Sequence, residues 1–141
     1  GRKATLRDLD LLADWRAAYS LELLGLSDSS RMRARCRSAM RQSVSAGRTW
    51  VLEAAGRPLA CSSFNVSIPE AVQVAGVWTP PEHRRRGYAR AVVATSLAAV
   101  HAQGVPRGVL FTVEHNLPAQ VAYGALGFNR IGDFRLLLLA D

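Results

Sequence analysis

Apolar residues in the first third of the chain recur at the three- and four-residue spacing of an amphipathic helix. This spacing predicts a helix over 9–24, with Asp8 as its capping residue and Gly25 as its terminator. A second helix is predicted over 30–46. One of its sides is apolar and the other is basic, with five arginines: Arg31, Arg33, Arg35, Arg37 and Arg41. A charged helix face of this kind is usually a solvated surface.

Alternating or continuous apolar runs predict strands in the rest of the chain. A short first strand is expected at 2–7, and strands at 49–54 and 59–67 form a hairpin. A fourth strand at 72–79 cannot continue into Pro80 and Pro81. Four further predictions follow in order: a helix at 91–100, a fifth strand at 108–113 buried on both faces, a helix at 119–126, and a final hairpin of strands at 128–131 and 134–139.

This order of elements predicts an α+β fold with one sheet and helices on both of its faces. The chain has 141 residues, of which 49% are hydrophobic and 21% are charged, so a single globular domain over 1–141 is expected. The sequence does not begin with Met, which suggests a processed or truncated start. No apolar run reaches the ~20 residues of a membrane-spanning helix, and no membrane partner is expected.

The cysteines and histidines show no metal-binding pattern. Cys36 and Cys61 lie far apart in apolar surroundings, which favours small buried side chains and a reducing, cytoplasmic location. The three histidines lack the spacing of a zinc site. The net charge of +7 favours a polyanionic partner, which could be nucleic acid, an acidic membrane surface or a phosphorylated cofactor.

A basic turn, His83–Arg90, joins the fourth predicted strand to the helix that follows. Unpaired backbone N–H groups and the positive end of the helix dipole favour anion binding at such a position. Gly87 and the small Ala89 allow a ligand to approach the backbone closely, while the arginines add charge and forked donors. The alternative is an ordinary strand-to-helix turn with solvated arginines.

Two motifs resemble the acyl-CoA-binding core of the GNAT superfamily of N-acetyltransferases. The segment Arg84–Ala89 fits the family's pattern of Gln or Arg, two residues, Gly, one residue, then Gly or Ala. About thirty residues later, Asn116–Phe128 resembles the family's second motif. The element order of the whole chain is also similar. The resemblance implies a GNAT-like fold with a central, mixed, mostly antiparallel sheet of six to seven strands.

The resemblance also implies which residues hold acetyl-CoA. Backbone amides of the basic turn would bind the pyrophosphate, and the end of the fourth strand would pair with the pantetheine arm. The fourth and fifth strands would splay around the thioester. The cofactor-binding residues implied are Val77, Trp78, Arg84, Arg85, Arg86, Gly87, Tyr88, Ala89, Asn116, Ala119 and Tyr123.

For catalysis, the resemblance places Tyr123 where many members have a tyrosine that protonates the leaving CoA thiolate. The alternative for Tyr123 is an aromatic on the apolar side of a short helix. Several members use a glutamate base on the fourth strand, but the aligned position here is Gln73, which cannot accept a proton. Glu114 is predicted as the base instead, directly or through water. A proton relay by His115, or a water-mediated route without an essential carboxylate, stays open.

The sequence thus predicts an N-acetyltransferase that moves acetyl from acetyl-CoA to a small-molecule or peptide amine by direct transfer in a ternary complex. No metal is expected, and the protein is predicted to be a monomer or homodimer. The acceptor should approach over the first two helices and the final hairpin, near Trp15, Tyr19, Phe64, Asn65 and Phe134. Two alternatives remain: a basic nucleic-acid-binding module, and a GNAT domain that binds CoA without catalysis.

Overall fold

The structure is a computed structural model that describes residues 1–134. The helices are α1 (Leu9–Leu24), α2 (Ser30–Ser45), α3 (Tyr88–His101) and α4 (Leu117–Gly124). The strands are β1 (Arg2–Lys3), β2 (Thr49–Ala54), β3 (Arg57–Ile68), β4 (Ala71–Trp78) and β5 (Gly108–Leu110). Short 3-10 turns at Leu6–Asp8 and Pro81–His83 precede α1 and the basic turn.

The strands form one sheet in the order β1-β2-β3-β4-β5. The first three pairings are antiparallel, whereas β4 and β5 run parallel. A parallel pair needs a long crossover connection, and the basic turn and α3 provide it. The basic turn therefore follows the carboxyl end of β4 and belongs to the connection between the two parallel strands.

Each face of the sheet carries its own buried cluster. On one face, Leu12 of α1 and Met40 of α2 pack with Trp78 of β4. On the other, Val92 and Val93 of α3 pack with strand residues, and Tyr123 of α4 joins them as a partly buried residue. The predicted α+β fold with helices on both faces is confirmed.

The helices of the amino-terminal half have nearly the predicted bounds, but Asp8 does not cap α1, because its carboxylate accepts from Arg2 and from the N–H of Thr5 and makes no bond to the helix. Gly25 ends α1 in the left-handed conformation, with φ 63°, which a glycine adopts without steric cost. Ser29 caps α2, because its hydroxyl accepts a hydrogen bond from the N–H of Met32 at 3.1 Å. The buried residues of α2 lie four apart along one side: Met32, Cys36, Met40 and Val44.

Two strand predictions at the carboxyl half need correction. The fifth strand ends at Leu110 instead of 113, and its three residues are only partly buried. Phe111 and Val113, which were expected to belong to it, are each 52% exposed. Residues 128–131 form no strand within the described part of the chain. The N–H of Phe128 donates to the carbonyl of Tyr123 at 3.1 Å and closes the end of α4.

The sheet accordingly has five strands within residues 1–134, against the six to seven expected. The other predicted strand of the final hairpin, 134–139, lies outside the described residues except for Phe134. At the amino terminus the first strand is shorter than predicted, because Leu6–Asp8 forms a 3-10 turn. Across the part of the chain that is described, no helix combines the length and apolar composition needed to cross a membrane.

Candidate active site

The pairing between β4 and β5 ends before β4 does. Parallel pairing joins Val72, Gln73 and Val74 to β5, and β4 then continues to Trp78 without a partner on that side among the described residues. Strand β5 ends at Leu110, so the pairing stops four residues before the end of β4. The predicted splay of the two strands around a thioester stays a prediction.

A β-bulge interrupts β4 just beyond its pairing with β5. Ala75 pairs with Ser63 of β3, but Trp78 pairs with Cys61, so β4 has one extra residue where Gly76 takes a φ of 57°. In a regular strand, Val74 and Trp78 would share a face. The bulge instead places them in the two opposite clusters. The only sequence signal for the bulge is a glycine inside a strand pattern.

The basic turn presents a run of unpaired donors. Within residues 1–134, the backbone N–H groups from Arg85 to Arg90 have no hydrogen-bond acceptor. Arg85 and Gly87 take left-handed φ angles of 60° and 77°. Successive N–H groups in a turn that contains left-handed residues commonly form an anion-binding surface. The basic turn leads into the first turn of the 14-residue helix α3, whose dipole also favours an anion. The donor set therefore fits a phosphate or pyrophosphate.

The arginine side chains of the turn fall into two groups. Arg85, Arg86 and Arg90 are exposed, and no carboxylate of the described chain lies within ion-pair distance of them. Arg84 differs, because its guanidinium pairs with Glu22 of α1 at 2.9 Å. The side chain of Arg84 is thus engaged within the protein, and a cofactor contact for it stays a prediction.

Tyr123 faces the same side of the sheet as α3. Its ring lies edge-on to Phe128, with the ring centroids 6.1 Å apart, and its hydroxyl makes no hydrogen bond to the described residues. Burial, with a smaller contribution from the phenol of Tyr19, raises the pKa of Tyr123 to about 12. The hydroxyl therefore stays protonated at every pH at which a protein of this kind works.

Asn116 and Ala119 form the start of α4. The carboxamide oxygen of Asn116 accepts a hydrogen bond from the N–H of Ala119 at 3.3 Å, so the side chain caps the helix. The NH₂ group of Asn116 is left as the donor that could reach a cofactor.

The two side chains considered for removing the amine proton, Glu114 and His115, are both exposed and lie beyond β5. Because β5 is short, Glu114 lies four residues beyond the strand rather than at its end. Gln73 is partly buried inside the paired segment of β4. Its carboxamide cannot act as a base. The prediction for Glu114 therefore stays untested by the geometry.

The residues expected near the acceptor divide into core and surface positions. Phe64 is 2% exposed and packs against Trp50 with ring centroids 4.8 Å apart, so it belongs to the core. Trp15 and Tyr19 pack against the cluster around Trp78 and are partly buried. Asn65 is exposed, and so is Phe134, which stacks on Phe111 at 4.2 Å.

Comparison with solved structures supports the fold. The aminoglycoside N-acetyltransferase AAC(6')-Iy, in complex with the bisubstrate analogue CoA-S-monomethyl-acetylneamine, is 18% identical, with a TM-score of 0.74 over 99% of this chain and 97% of that one. A predicted acetyltransferase from Clostridium acetobutylicum, solved with acetyl-CoA, is 16% identical, with a TM-score of 0.73 over 97% and 94% of the two chains. A GCN5-related N-acetyltransferase from Ralstonia eutropha JMP134 is 21% identical, with a TM-score of 0.70 over 96% and 95%.

Comparison with curated proteins found no match. Family profiles gave a clear result, since the profile of the acetyltransferase (GNAT) family matches residues 10–128, from α1 to the end of the second motif. The matched range includes the bulged end of β4, the donors of the basic turn and Tyr123. On this evidence the chain belongs to the GNAT family of acetyltransferases.

Proposed function

We propose that this chain is a single N-acetyltransferase domain that moves an acetyl group from acetyl-CoA to an amine by direct transfer in a ternary complex. The observation that carries the proposal is the run of unpaired N–H groups from Arg85 to Arg90 beside the unpaired end of β4. The first feature suits the pyrophosphate of CoA, and the second suits the amide groups of its pantetheine arm.

The chain binds the donor substrate through backbone groups and charge together. The N–H groups of the basic turn donate to the phosphate oxygens, and Arg85, Arg86 and Arg90 compensate the negative charge. The main chain of 75–78 offers the hydrogen bonds of an unfilled strand position to the pantetheine amides. The thioester would then lie in the gap between β4 and β5. The similar structures solved with acetyl-CoA and with a CoA bisubstrate analogue support this reading.

The transfer requires one bond to form and one to break. The amine nitrogen bonds to the thioester carbon, the carbon–sulfur bond breaks, and the amine proton leaves to solvent or to the sulfur. With a pKa of about 12, Tyr123 is a weaker acid than a thiol, whose reference pKa is ~8.5. Full proton transfer from Tyr123 to the thiolate would be unfavourable. Its hydroxyl instead serves as a hydrogen-bond donor that stabilises the charge growing on sulfur.

The amine must be neutral to attack. No residue of β4 carries a carboxylate, and Gln73 holds the position that aligns with the glutamate base of several family members. We therefore favour proton removal by water, with Glu114 as an exposed group that could accept the proton from that water. This route predicts that the rate rises with pH as the fraction of neutral amine rises.

Thermal unfolding with and without acetyl-CoA tests the proposal first. A ligand that binds only the folded state adds RT ln(1 + [L]/Kd), which is ~2.7 kcal/mol at a hundredfold excess over Kd. We expect a rise of several degrees in the unfolding midpoint that survives moderate salt and that free phosphate does not reproduce. A shift that phosphate reproduces, or no shift, would refute the acetyl-CoA site.

Two glycines provide a matched pair of variants. Gly87 and Gly56 have similar φ angles of 77° and 73°, and an added Cβ would meet no protein atom within 3.8 Å at either position. Gly87→Ala and Gly56→Ala should therefore lose similar stability, about 1–2 kcal/mol for a left-handed alanine. Only Gly87→Ala should weaken acetyl-CoA binding, by tenfold or more. Equal affinities for the two variants would contradict a phosphate site at the basic turn.

The absence of a carboxylate on β4 also favours a second candidate, a GNAT domain that binds CoA without catalysis. An amine panel with detection of the released thiol separates the two. Thiol release that depends on both acetyl-CoA and an amine supports the enzyme. Tight CoA binding without turnover on any amine supports the non-catalytic domain.

A further inference from the structure

The guanidinium of Arg84 joins α1 to the end of β4. Its Nη2 donates to Oε2 of Glu22 at 2.9 Å, and its Nε donates to the carbonyl of Thr79 at 3.0 Å. The same group lies over the ring of Trp78, 4.9 Å from the centroid. One planar side chain thus contacts α1, the end of β4 and the residue that follows it.

These contacts fix the direction in which the chain enters the basic turn. A guanidinium carries its donors in a rigid plane, so donation at two edges and stacking on a face together determine its orientation. Arg84 immediately precedes Arg85, where the backbone switches to the left-handed φ of 60°. A change in the position of Arg84 would therefore move the first N–H groups of the anion site.

A second contact ties α1 to the same place. Tyr19 lies one helical turn before Glu22, and its ring is edge-on to Trp78, with centroids 6.3 Å apart. Trp78 is only 5% exposed, so the indole is held firmly by the surrounding core. Helix α1 therefore contacts the end of β4 through Tyr19 and the start of the basic turn through Glu22.

The arginines of the basic turn also differ in whether a carboxylate pairs with them. Arg84 has a carboxylate partner, whereas Arg85, Arg86 and Arg90 have none within the described part of the chain. An arginine that already pairs with a carboxylate loses part of its attraction for a phosphate, because the pair is nearly neutral to an approaching anion. The three unpaired arginines are the better phosphate partners.

We infer that Arg84 is a positioning residue, which ties α1 to the basic turn through Glu22 and holds the turn's N–H groups in place for the CoA pyrophosphate without binding a phosphate itself. The inference rests on the acetyl-CoA site proposed above. It assigns to Glu22, which lies outside both sequence motifs, a role in cofactor affinity.

Glu22→Gln is the deciding variant, because the two possible roles of Arg84 predict opposite effects. If Arg84 bound phosphate, removal of its competing carboxylate would leave acetyl-CoA affinity unchanged or increase it. If Glu22 and Arg84 position the turn, affinity falls. We expect acetyl-CoA to bind about three- to tenfold more weakly to Glu22→Gln, as measured by titration calorimetry at 25 °C, a modest loss that suits a partly exposed ion pair.

Two Arg84 variants test the same positioning role by changing Arg84 instead of Glu22. Arg84→Lys keeps the charge but loses the planar fork, so it should weaken binding about as much as Arg84→Gln. The double variant Glu22→Gln with Arg84→Gln should bind no more weakly than Arg84→Gln alone, because both changes break one contact. Asp28→Asn is the control: it removes another exposed ion pair, with Arg33, far from the turn in sequence, and should leave affinity unchanged.

The outcomes separate the inference from the proposed function. If the unaltered protein fails to bind acetyl-CoA, the proposed function fails. If it binds, and Glu22→Gln binds equally well or more tightly, the positioning role is wrong. The role is also wrong if Arg84→Lys retains full affinity, since a point charge would then suffice. Circular dichroism of each variant at 25 °C, together with its unfolding midpoint without ligand, ensures that folded proteins are compared.

Discussion

Arg85 and Gly87 both lie in the left-handed region of backbone space, two residues apart, with φ angles of 60° and 77°. Gly87 adopts this conformation at no steric cost, whereas Arg85 is strained, because its Cβ crowds the backbone. The strain lies where the anion site begins, and strained backbone in proteins is often found at binding sites.

Arg85→Gly should relieve this strain. A left-handed residue with a Cβ costs about 1–2 kcal/mol, and the greater freedom of glycine in the unfolded chain offsets about 0.5–1 kcal/mol of the gain. We expect the free energy of unfolding to rise by about 0.5–1 kcal/mol in chemical denaturation. Acetyl-CoA should bind a few times more weakly, because one positive charge is lost.

Arg85→Ala separates the two effects, since it removes the charge but keeps the strained Cβ. Its affinity for acetyl-CoA should match that of Arg85→Gly. Its free energy of unfolding should be about 1 kcal/mol lower than that of Arg85→Gly. A glycine variant that is no more stable than the alanine variant would show that Arg85 is unstrained in solution.

Features that depend on neighbouring residues could be predicted from the sequence, whereas features that depend on contacts between distant residues could not. Local signals determine where α1 and β4 end, because Gly25 and Pro80 act on their own neighbours. The capping role predicted for Asp8 was wrong, because its carboxylate binds Arg2 and the N–H of Thr5 instead of the first turn of α1. The basic turn was also predictable, since strand, glycine and helix follow one another directly. The bulge at Gly76 was signalled only by a glycine, and its effect on Trp78 depends on pairing with β3. The ion pair of Glu22 with Arg84 spans 62 positions, and no local pattern indicates it.

Two neighbouring serines of β3, Ser62 and Ser63, differ in whether their hydroxyls make a hydrogen bond. Ser62 is fully buried, and its hydroxyl has no hydrogen-bond partner among the described residues. An unsatisfied buried hydroxyl costs about 1–3 kcal/mol. Ser62→Ala should therefore raise the free energy of unfolding by about 1 kcal/mol and the unfolding midpoint by about 3 °C.

Ser63→Ala is the matched control. The hydroxyl of Ser63 lies 3.1 Å from that of Thr49, so its removal breaks a buried hydrogen bond. This variant should lose about 0.5–1.5 kcal/mol in the same denaturation experiment. If Ser62→Ala also loses stability, the hydroxyl of Ser62 has a partner in solution, such as a buried water molecule.

The acid stability of the fold should depend on Asp8. Arg2 donates to both carboxylate oxygens at 2.9 Å, and the N–H of Thr5 donates at 2.8 Å. These contacts, led by Arg2, lower the pKa of Asp8 from 3.8 to about 2. A lowered pKa stabilises the fold above the unfolded-state pKa, and this contribution is lost as pH falls from about 4 towards 2.

Asp8→Asn should therefore be less stable than the unaltered protein by at most about 2 kcal/mol at pH 7, and the difference should close as pH falls to 2. Denaturation at pH 7, 4 and 2.5 measures it. Asp28→Asn, at an exposed ion pair, should show almost no difference at any of these pH values. A difference for Asp8→Asn that does not depend on pH would mean that the loss comes from packing.

Tyr123→Phe should change the rate and leave binding and stability almost intact. The hydroxyl makes no hydrogen bond in the described structure, so its loss should not lower the free energy of unfolding. A donor that acts on developing charge at sulfur contributes only in the transition state. We expect kcat to fall about 10²-fold, with little change in KM for acetyl-CoA.

The pH profile distinguishes this role from that of an ionising acid. Because the pKa of Tyr123 is about 12, its hydroxyl stays protonated through pH 10, so Tyr123 should cause no fall in rate between pH 8 and 10. The profiles of the unaltered protein and of Tyr123→Phe should keep the same shape in this range and differ only in height. A fall near pH 9–10 that Tyr123→Phe removes would show that the phenol is a stronger acid than its buried position allows. Tyr123 would then be delivering its proton to the leaving thiolate outright.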